Sequence, residues 1–403
     1  MTLLALRGTP ALTPSVAGPF LRGPGLVWAA LFANVLSFQR IPLLVPIPGP
    51  VGQALAQGAL PLAFGLVLLA NPRGVLRPNL FLSLLSVMVL LALIVSIHNT
   101  FAFGSSYRAL RLTAFVAVLW MLTAWWGEPG LPLLRAHLLC LKVVTASVLF
   151  GLVVAPGKAL AFQGRLSGIL WPIPPTQVAH YAAVALGCTA VLWFCGQATG
   201  RSTVITVGAG AVAIVESHTR TALLALFVGL VIAGASLFMG HVRVRRTAAV
   251  IAVLGAFVAA FFAPLIVSWA SRGQTAQEAS QLTGRTKVWS QVLDLPRQWP
   301  QRWFGTGLSN KSFNGLPIDS NWVATYYDQG WAAVVLQVTV LLTLVLVAVT
   351  RPRGPRRAIA LFLVAYCIVA SFTETGLGDA SPYLLDLTVA ASLLALPARR
   401  PVP

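Results

Sequence analysis

The sequence predicts an all-α polytopic membrane protein of about 12 transmembrane helices, with both termini cytoplasmic and one long extracytoplasmic loop carrying short helices. Three observations predict it. Hydrophobic residues make up 57 % of the 403 residues and charged residues only 9 %, with a mean hydropathy of +0.83. A soluble domain carries roughly 25 % charged residues, so this chain has too little charge to cover a water-facing surface. Apolar runs recur at the length a bilayer-crossing helix needs, about 20 residues each. Basic residues then collect in alternate connections between those runs. Disorder is excluded as well, because it requires low hydrophobicity.

In chain order, residues 1–24 are broken by Pro, Gly and Arg before any long apolar run forms. No cleavable signal is expected there, and the first run is read as a retained helix. The expected spans are 25–47, 52–70, 80–98, 108–126, 137–155, 175–196, 202–217, 220–240, 247–270, 330–349, 357–374 and 381–397. The first is crossed by Gln39, Arg40 and several prolines, and the seventh is short and ends in Glu216. Residues 1–403 read as a single transmembrane domain. Cys140, Cys188, Cys195 and Cys367 all fall inside apolar runs and read as small packed hydrophobes rather than metal ligands or disulfides.

The net charge is +19, from 28 Lys+Arg against 9 Asp+Glu. An excess of this size invites a nucleic-acid reading. Topology accounts for about half of the positive charge: Arg7 and Arg22, Arg73 and Arg77, Arg135, Arg201, Arg243 to Arg246, Arg351 to Arg357 and the terminal Arg399 and Arg400 all fall on one side of a twelve-span chain. No nucleic-acid partner is therefore expected; the expected surroundings are a lipid bilayer, specifically the cytoplasmic (inner) membrane. Glu278, Asp294, Asp319, Asp328 and Asp379 fall on the other, outer side.

Residues 271–329 form the long outer loop between spans nine and ten. Loops of this length are functional or disordered, and the tryptophans and tyrosines here argue against disorder. Thr283 to Leu295 reads as a short amphipathic helix with Val288, Val292 and Leu295 on one side. Gly305, Gly307, Gly315 and Pro317 mark turns. The loop's aromatic residues suit either an interfacial belt or stacking on sugar rings, the belt being the commoner use.

Ionisable residues at membrane depth mark function by default. Arg165 precedes span six, Arg220 sits at the tight turn between spans seven and eight, and Arg285 opens the amphipathic stretch. One such arginine could simply snorkel to headgroups. Three on the face that should be poor in positive charge instead suit an anionic ligand, since guanidinium binds phosphate oxygens through paired hydrogen bonds. A lipid pyrophosphate lies at the right depth. Asp319 reads either as a general base at the mouth of span ten or as that helix's N-cap. Asp328 reads as a solvated or salt-bridged carboxylate. Glu374 reads as a partner for one of the arginines or as a water-exposed helix end. His218, beside Arg220, and His180 read as packed or hydrogen-bonded residues, with proton transfer as the alternative. No DxD, HExxH, paired Cys/His, P-loop or dinucleotide pattern appears, so no metal or other cofactor is expected.

Four stretches carry a resemblance: Gly164-Arg165-Leu166-Ser167-Gly168, Ser217-His218-Thr219-Arg220-Thr221-Ala222-Leu223, Thr283-Gly284-Arg285 with Trp289 followed by Phe304-Gly305-Thr306-Gly307, and Asp319 to Gly330. Together they resemble the O-antigen ligase and O-antigen polymerase superfamily of bacterial membrane glycosyltransferases. The likeness covers roughly residues 160–375. The family's ligases have His where this chain has Asp319, and its usual next Asn is Ser320 here. The resemblance implies a GT-C-like membrane fold and transfer of a glycan from an undecaprenyl-pyrophosphate-type carrier to an acceptor sugar. The transfer would invert the anomeric centre without a metal, on the outer face. It further implies Arg165, Arg220 and Arg285 as donor pyrophosphate ligands, with Asp319 and Arg220 catalytic and Glu374, His218 and Asp328 supporting. Burial would raise the Asp319 pKa and nearby arginines would lower it.

A polytopic transporter or lipid-linked glycan flippase is the competing class. A major-facilitator transporter would place its longest loop inside between spans six and seven, whereas here it lies outside between spans nine and ten. A structural subunit of an envelope-synthesis complex is the third reading; it makes Arg220 and Asp319 dispensable.

Overall fold

The structure, a computed structural model, describes residues 23–39, 41–98, 102–251, 253, 268 and 285–396. It is mostly helical, at 72 %. The helices are α1 (Pro24–Val35), α2 (Gly49–Ala70), α3 (Leu80–Ile97), α4 (Ala102–Leu122), α5 (Pro132–Val154), α6 (Pro156–Ala159), α7 (Pro175–Phe194), α8 (Gly200–Ser217) and α9 (Arg220–Leu237). After them come α10 (Arg285–Leu293), α11 (Trp299–Phe304), α12 (Asn321–Thr350), α13 (Pro355–Ala370) and α14 (Pro382–Leu394). A hairpin of β1 (Ser312–Phe313) and β2 (Leu316–Pro317) lies between α11 and α12.

Among the described residues seven helices are long and apolar enough to cross a membrane: α2, α3, α5, α7, α9, α12 and the segment Phe103–Trp125 that contains α4. The chain is an all-α membrane protein. Each expected span outside 247–270 coincides with a helix, and most of 247–270, like residues 1–22 and 271–284, lies outside the described residues. The first expected span, 25–47, is helical only to Val35, because Pro42, Pro46 and Pro48 deny the backbone further helical turns. Many exposed side chains are apolar, among them Val335, Leu342, Leu346 and Val349 along α12, as a lipid-facing helix requires.

The core is continuous through the bundle. Phe362 of α13 fills it by packing against two glycines, Gly187 of α7 and Gly229 of α9, where a Cβ would overlap its ring. A buried polar knot joins four helices, α1, α5, α7 and α14. Trp28 Nε1 of α1 donates to His137 Nδ1 of α5 at 3.3 Å, and an indole can only donate. The His137 proton therefore sits on Nε2, which donates to Asp386 Oδ1 of α14 at 2.8 Å. His180 Nε2 of α7 lies 3.2 Å from Asp386 Oδ2. All three side chains are at most 1 % exposed. His180 thus has the packed, paired role that its sequence context favoured.

The segment that follows α10 is built around a break in α12. Gly330 has φ 67 and ψ −169, so the segment from Asn321 to Gln329 leaves the helix axis. In an unbroken helix two residues sixteen apart are about 24 Å apart. Here Asn321 Nδ2 donates to Gln337 Oε1 at 2.6 Å, and Thr325 Oγ1 donates to the same oxygen at 3.3 Å. The break frees three carbonyls, and the loop supplies a donor for each. Arg297 Nη1 donates to Tyr326 O (3.2 Å), Thr306 Oγ1 to Tyr327 O (3.1 Å) and Gly307 N to Asp328 O (2.8 Å). The Arg297 guanidinium also lies over the Tyr326 and Tyr327 rings, 4.7 and 5.0 Å from their centroids. The Gly305–Gly307 pair is therefore a clasp on the helix break. A Cβ on Gly330 would lie 2.5 Å from Phe304 N, and one on Gly305 would overlap the Asp328 backbone.

Candidate functional site

A small satellite core positions the first pair of site residues. The amphipathic stretch expected from Thr283 to Leu295 folds as α10, with Val288 and Val292 buried and Leu295 just beyond its end. Their partners are Ile318, which follows the hairpin, and Val323 and Ala324 of α12. The hairpin turns through Asn314 and Gly315, both with positive φ (49 and 78), the conformation a two-residue hairpin favours. Pro317, expected as a turn residue, is instead a strand residue paired with Ser312. Packing α10 on Ile318 brings Arg285, the first residue of α10, against Asp319. Arg285 Nε lies 3.3 Å from Asp319 Oδ2, with both side chains partly exposed.

The helix-cap alternative for Asp319 is overturned. The N-cap of α12 is Ser320, and the Asp319 carboxylate faces Arg285. Burial raises the Asp319 pKa above the usual carboxylate value, and the Arg285 charge opposes that shift without cancelling it. The balance left open in the sequence is thus decided in favour of burial.

The second half of the site comes from the turn joining α8 to α9. Only His218 and Thr219 separate the two helices, and His218 adopts a left-handed conformation (φ 49) that reverses the chain. Arg165 crosses to this turn from the loop before α7. Its Nε donates to Ser217 O at 2.9 Å and its Nη2 to Thr219 Oγ1 at 3.2 Å. Arg220 is the first residue of α9, so the helix's positive end lies beside it. Thr221, next along, is 2.8 Å from Thr373, hydroxyl to hydroxyl. That contact ties the α8–α9 turn to the loop after α13.

Glu374 sits on that loop, beyond the end of α13 at Ala370 rather than within the helix. It lies within electrostatic reach of Arg285, Asp319 and Arg165. Burial pushes its carboxyl up to about 7, the Arg285 and Arg165 charges oppose this, and Asp319 adds to it. Burial likewise lowers the Arg165 pKa, with Glu374 opposing the shift and Arg285 adding to it. The structure thus gathers Arg165, Arg285, Asp319 and Glu374, and fastens Arg220 between two threonines of the same assembly. Cationic and acid–base groups share one mouth, an arrangement that can hold a diphosphate and deprotonate a hydroxyl.

Asp328 stands apart. It is fully buried and pairs with Lys311, whose Nζ also lies 3.1 Å from Asp379. Burial works to lower the Lys311 pKa, but the two carboxylates outweigh it and leave the ammonium above the ordinary lysine range. This cluster holds three segments together: the strand approach, the broken helix and the loop that carries Glu374. Sequence reasoning missed Lys311, Arg297 and the Thr221–Thr373 contact. It also missed Asp386, whose signal was plain: a carboxylate in the middle of an apolar run. Among the described residues no group of three His, Cys, Asp or Glu could hold a metal ion.

No curated protein matches the chain. Residues 205–331 match the model of a protein family described as O-antigen ligase. The matched segment contains Arg220, Arg285, Asp319 and Asp328, while Arg165 and Glu374 fall outside it. That match, over the segment that holds the Arg285–Asp319 pair, supports the O-antigen ligase and polymerase superfamily for this membrane protein.

Proposed function

We propose that the protein transfers a glycan from a polyprenyl-pyrophosphate carrier to an acceptor sugar hydroxyl on the outer face of the cytoplasmic membrane. The observation that carries this reading is the meeting of Arg285 and Asp319, 3.3 Å apart, beside Glu374 and Arg165. The acceptor oxygen attacks the anomeric carbon from the side opposite the leaving group, so the centre inverts. The new C–O bond forms as the bond to pyrophosphate breaks. The hydroxyl proton passes to the Asp319 carboxylate, whose raised pKa makes it a better base than an ordinary aspartate. Negative charge grows on the leaving pyrophosphate, and Arg165, Arg220 and Arg285 would stabilise it, a term commonly worth 10²–10³ in rate per group, about 3–4 kcal/mol. With guanidinium groups in that role, the transfer requires no divalent cation.

The twelve spans expected from the sequence, with both termini cytoplasmic, would put this mouth outside. The short helices support a site sunk below the membrane surface. At 1.5 Å per residue the 13 residues of α14 reach only about 20 Å, against about 30 Å of hydrocarbon. A mouth at that depth suits a lipid-borne diphosphate.

The test is turnover of a polyprenyl-pyrophosphate-linked oligosaccharide by purified protein in EDTA. Arg220→Ala and Asp319→Ala should each abolish product while the protein stays folded. Wild-type turnover in both variants would overturn the assigned roles, and dependence on a divalent ion would overturn the mechanism. A ladder from donor alone identifies a polymerase, and a single transfer to a distinct acceptor identifies a ligase.

A further inference from the structure

A second cationic pair, Arg108 and Arg111, lies on α4. Arg111 lies three residues after Arg108 and four after Tyr107, so it shares a helix face with each of them. Arg108 lies six residues into α4, about 9 Å below its first residue at 1.5 Å per residue. A charge at that depth in a spanning helix is costly unless it meets a counter-charge or a polar cleft.

Hydrogen bonds tie three helices together beside it. Arg111 Nη2 donates to Asn34 O (3.1 Å) and to Asn34 Oδ1 (3.2 Å), joining α4 to α1. Asn34 Nδ2 donates to Ala56 O at 2.8 Å, joining α1 to α2. Tyr107 Oη donates to Gln57 Oε1 of α2 at 3.2 Å, closing the triangle. The layer is therefore fixed before any ligand arrives. Its unspent groups are cationic: Arg108 is exposed and meets no partner among the described residues, and Arg111 Nε is buried with none among them. Asp379 is the carboxylate within electrostatic reach of Arg111, and it belongs, with Lys311, to the cluster that holds the Glu374 loop. Ser105 Oγ of α4 donates to Leu308 O at 2.6 Å, which ties the start of α4 to the segment that leads into Lys311.

We propose that Arg108 and Arg111 bind the phosphate group of a second lipid-linked glycan, the acceptor, on the α2–α4 flank of the transfer site. This inference rests on the proposed transfer reaction. Transfer needs two glycans at one mouth, both carried on lipids whose phosphates lie near headgroup depth. Arg165, Arg220 and Arg285 take the donor diphosphate, and the α4 pair anchors the other lipid so that its sugar reaches Asp319.

The experiment is native mass spectrometry of the full chain released from nanodiscs, in an Asp319→Ala background that blocks turnover. The probe is a polyprenyl-pyrophosphate-linked disaccharide. The background protein should retain two molecules, Arg108→Gln one, and Arg108→Lys two. Arg108 is exposed, so the glutamine variant should keep its melting temperature. Two molecules retained by Arg108→Gln, or one by the background protein, would overturn the proposal. So would loss of phosphatidylglycerol, loaded in place of the probe, on Arg108→Gln substitution, which would mark a general phospholipid contact. Turnover is read separately in the protein with Asp319 intact. Its absence there, with one glycolipid lost in Arg108→Gln, leaves the second site standing and removes the transferase reading.

Discussion

Arg285 Nε lies 3.3 Å from Asp319 Oδ2, beside the small apolar cluster that carries both segments. Val288 and Val292, packed on Ile318, set the distance. The guanidinium holds the carboxylate's pKa down while burial pushes it up, and burial prevails. Removing the guanidinium should therefore leave a weaker donor grip and a more easily protonated base. Arg285→Gln is expected to lower kcat about 10²–10³-fold. The acid limb of its pH–rate profile should move to higher pH. An unmoved limb would separate Arg285 from Asp319 chemistry.

Glu374 gives a stability test with a definite sign. Its carboxyl is pushed up to about 7 from an ordinary 4.5, so between those values the folded chain holds a proton that the unfolded chain has lost. Stability then falls as pH rises through that window and levels off above about 7. Melting curves of the wild type between pH 4.5 and 8 should show this decline, and Glu374→Gln should flatten it.

The glycine clasp is predicted to be intolerant. Gly330→Ala and Gly305→Ala each place a methyl group into facing backbone at a positive φ, and each should cost about 3 kcal/mol or more. Gly315→Ala, at the open hairpin tip with nothing near its Cβ, should cost only the strain of its φ. Thermal unfolding of the three variants in one detergent ranks them directly.

The His137–Asp386–His180 knot predicts a graded loss. Asp386→Ala leaves two buried imidazoles facing a void and should destabilise by about 3–5 kcal/mol. Asp386→Asn keeps an acceptor for the His137 Nε2 proton and should cost markedly less. Equal melting temperatures for the two variants would show that the knot contributes no hydrogen-bond energy.

Much of the fold was legible because the bilayer imposes a length on apolar runs, and the starts of α3, α7 and α9 fell where hydropathy placed them. The break in α12 was not. Asn321 to Gln329 is polar and aromatic, so it reads as loop; its helicity depends on Gln337 and on donors from residues 297–307. Among site residues, the three arginines and Asp319 were visible as charges in the wrong place. Their pairing was not visible, because it arises from contacts between segments far apart in sequence. Asp328 shows the limit most clearly. Its motif position suggested a supporting role at the mouth, whereas its partner, Lys311, reaches it across the hairpin.

The Asn314–Gly315 turn offers a practical handle. It projects on two short strands, its residues are exposed, and no helix end depends on it for a donor. A short epitope or a reactive thiol inserted there should leave the clasp intact while reporting, by protection from membrane-impermeant reagents, which aqueous compartment the Asp319 strand faces.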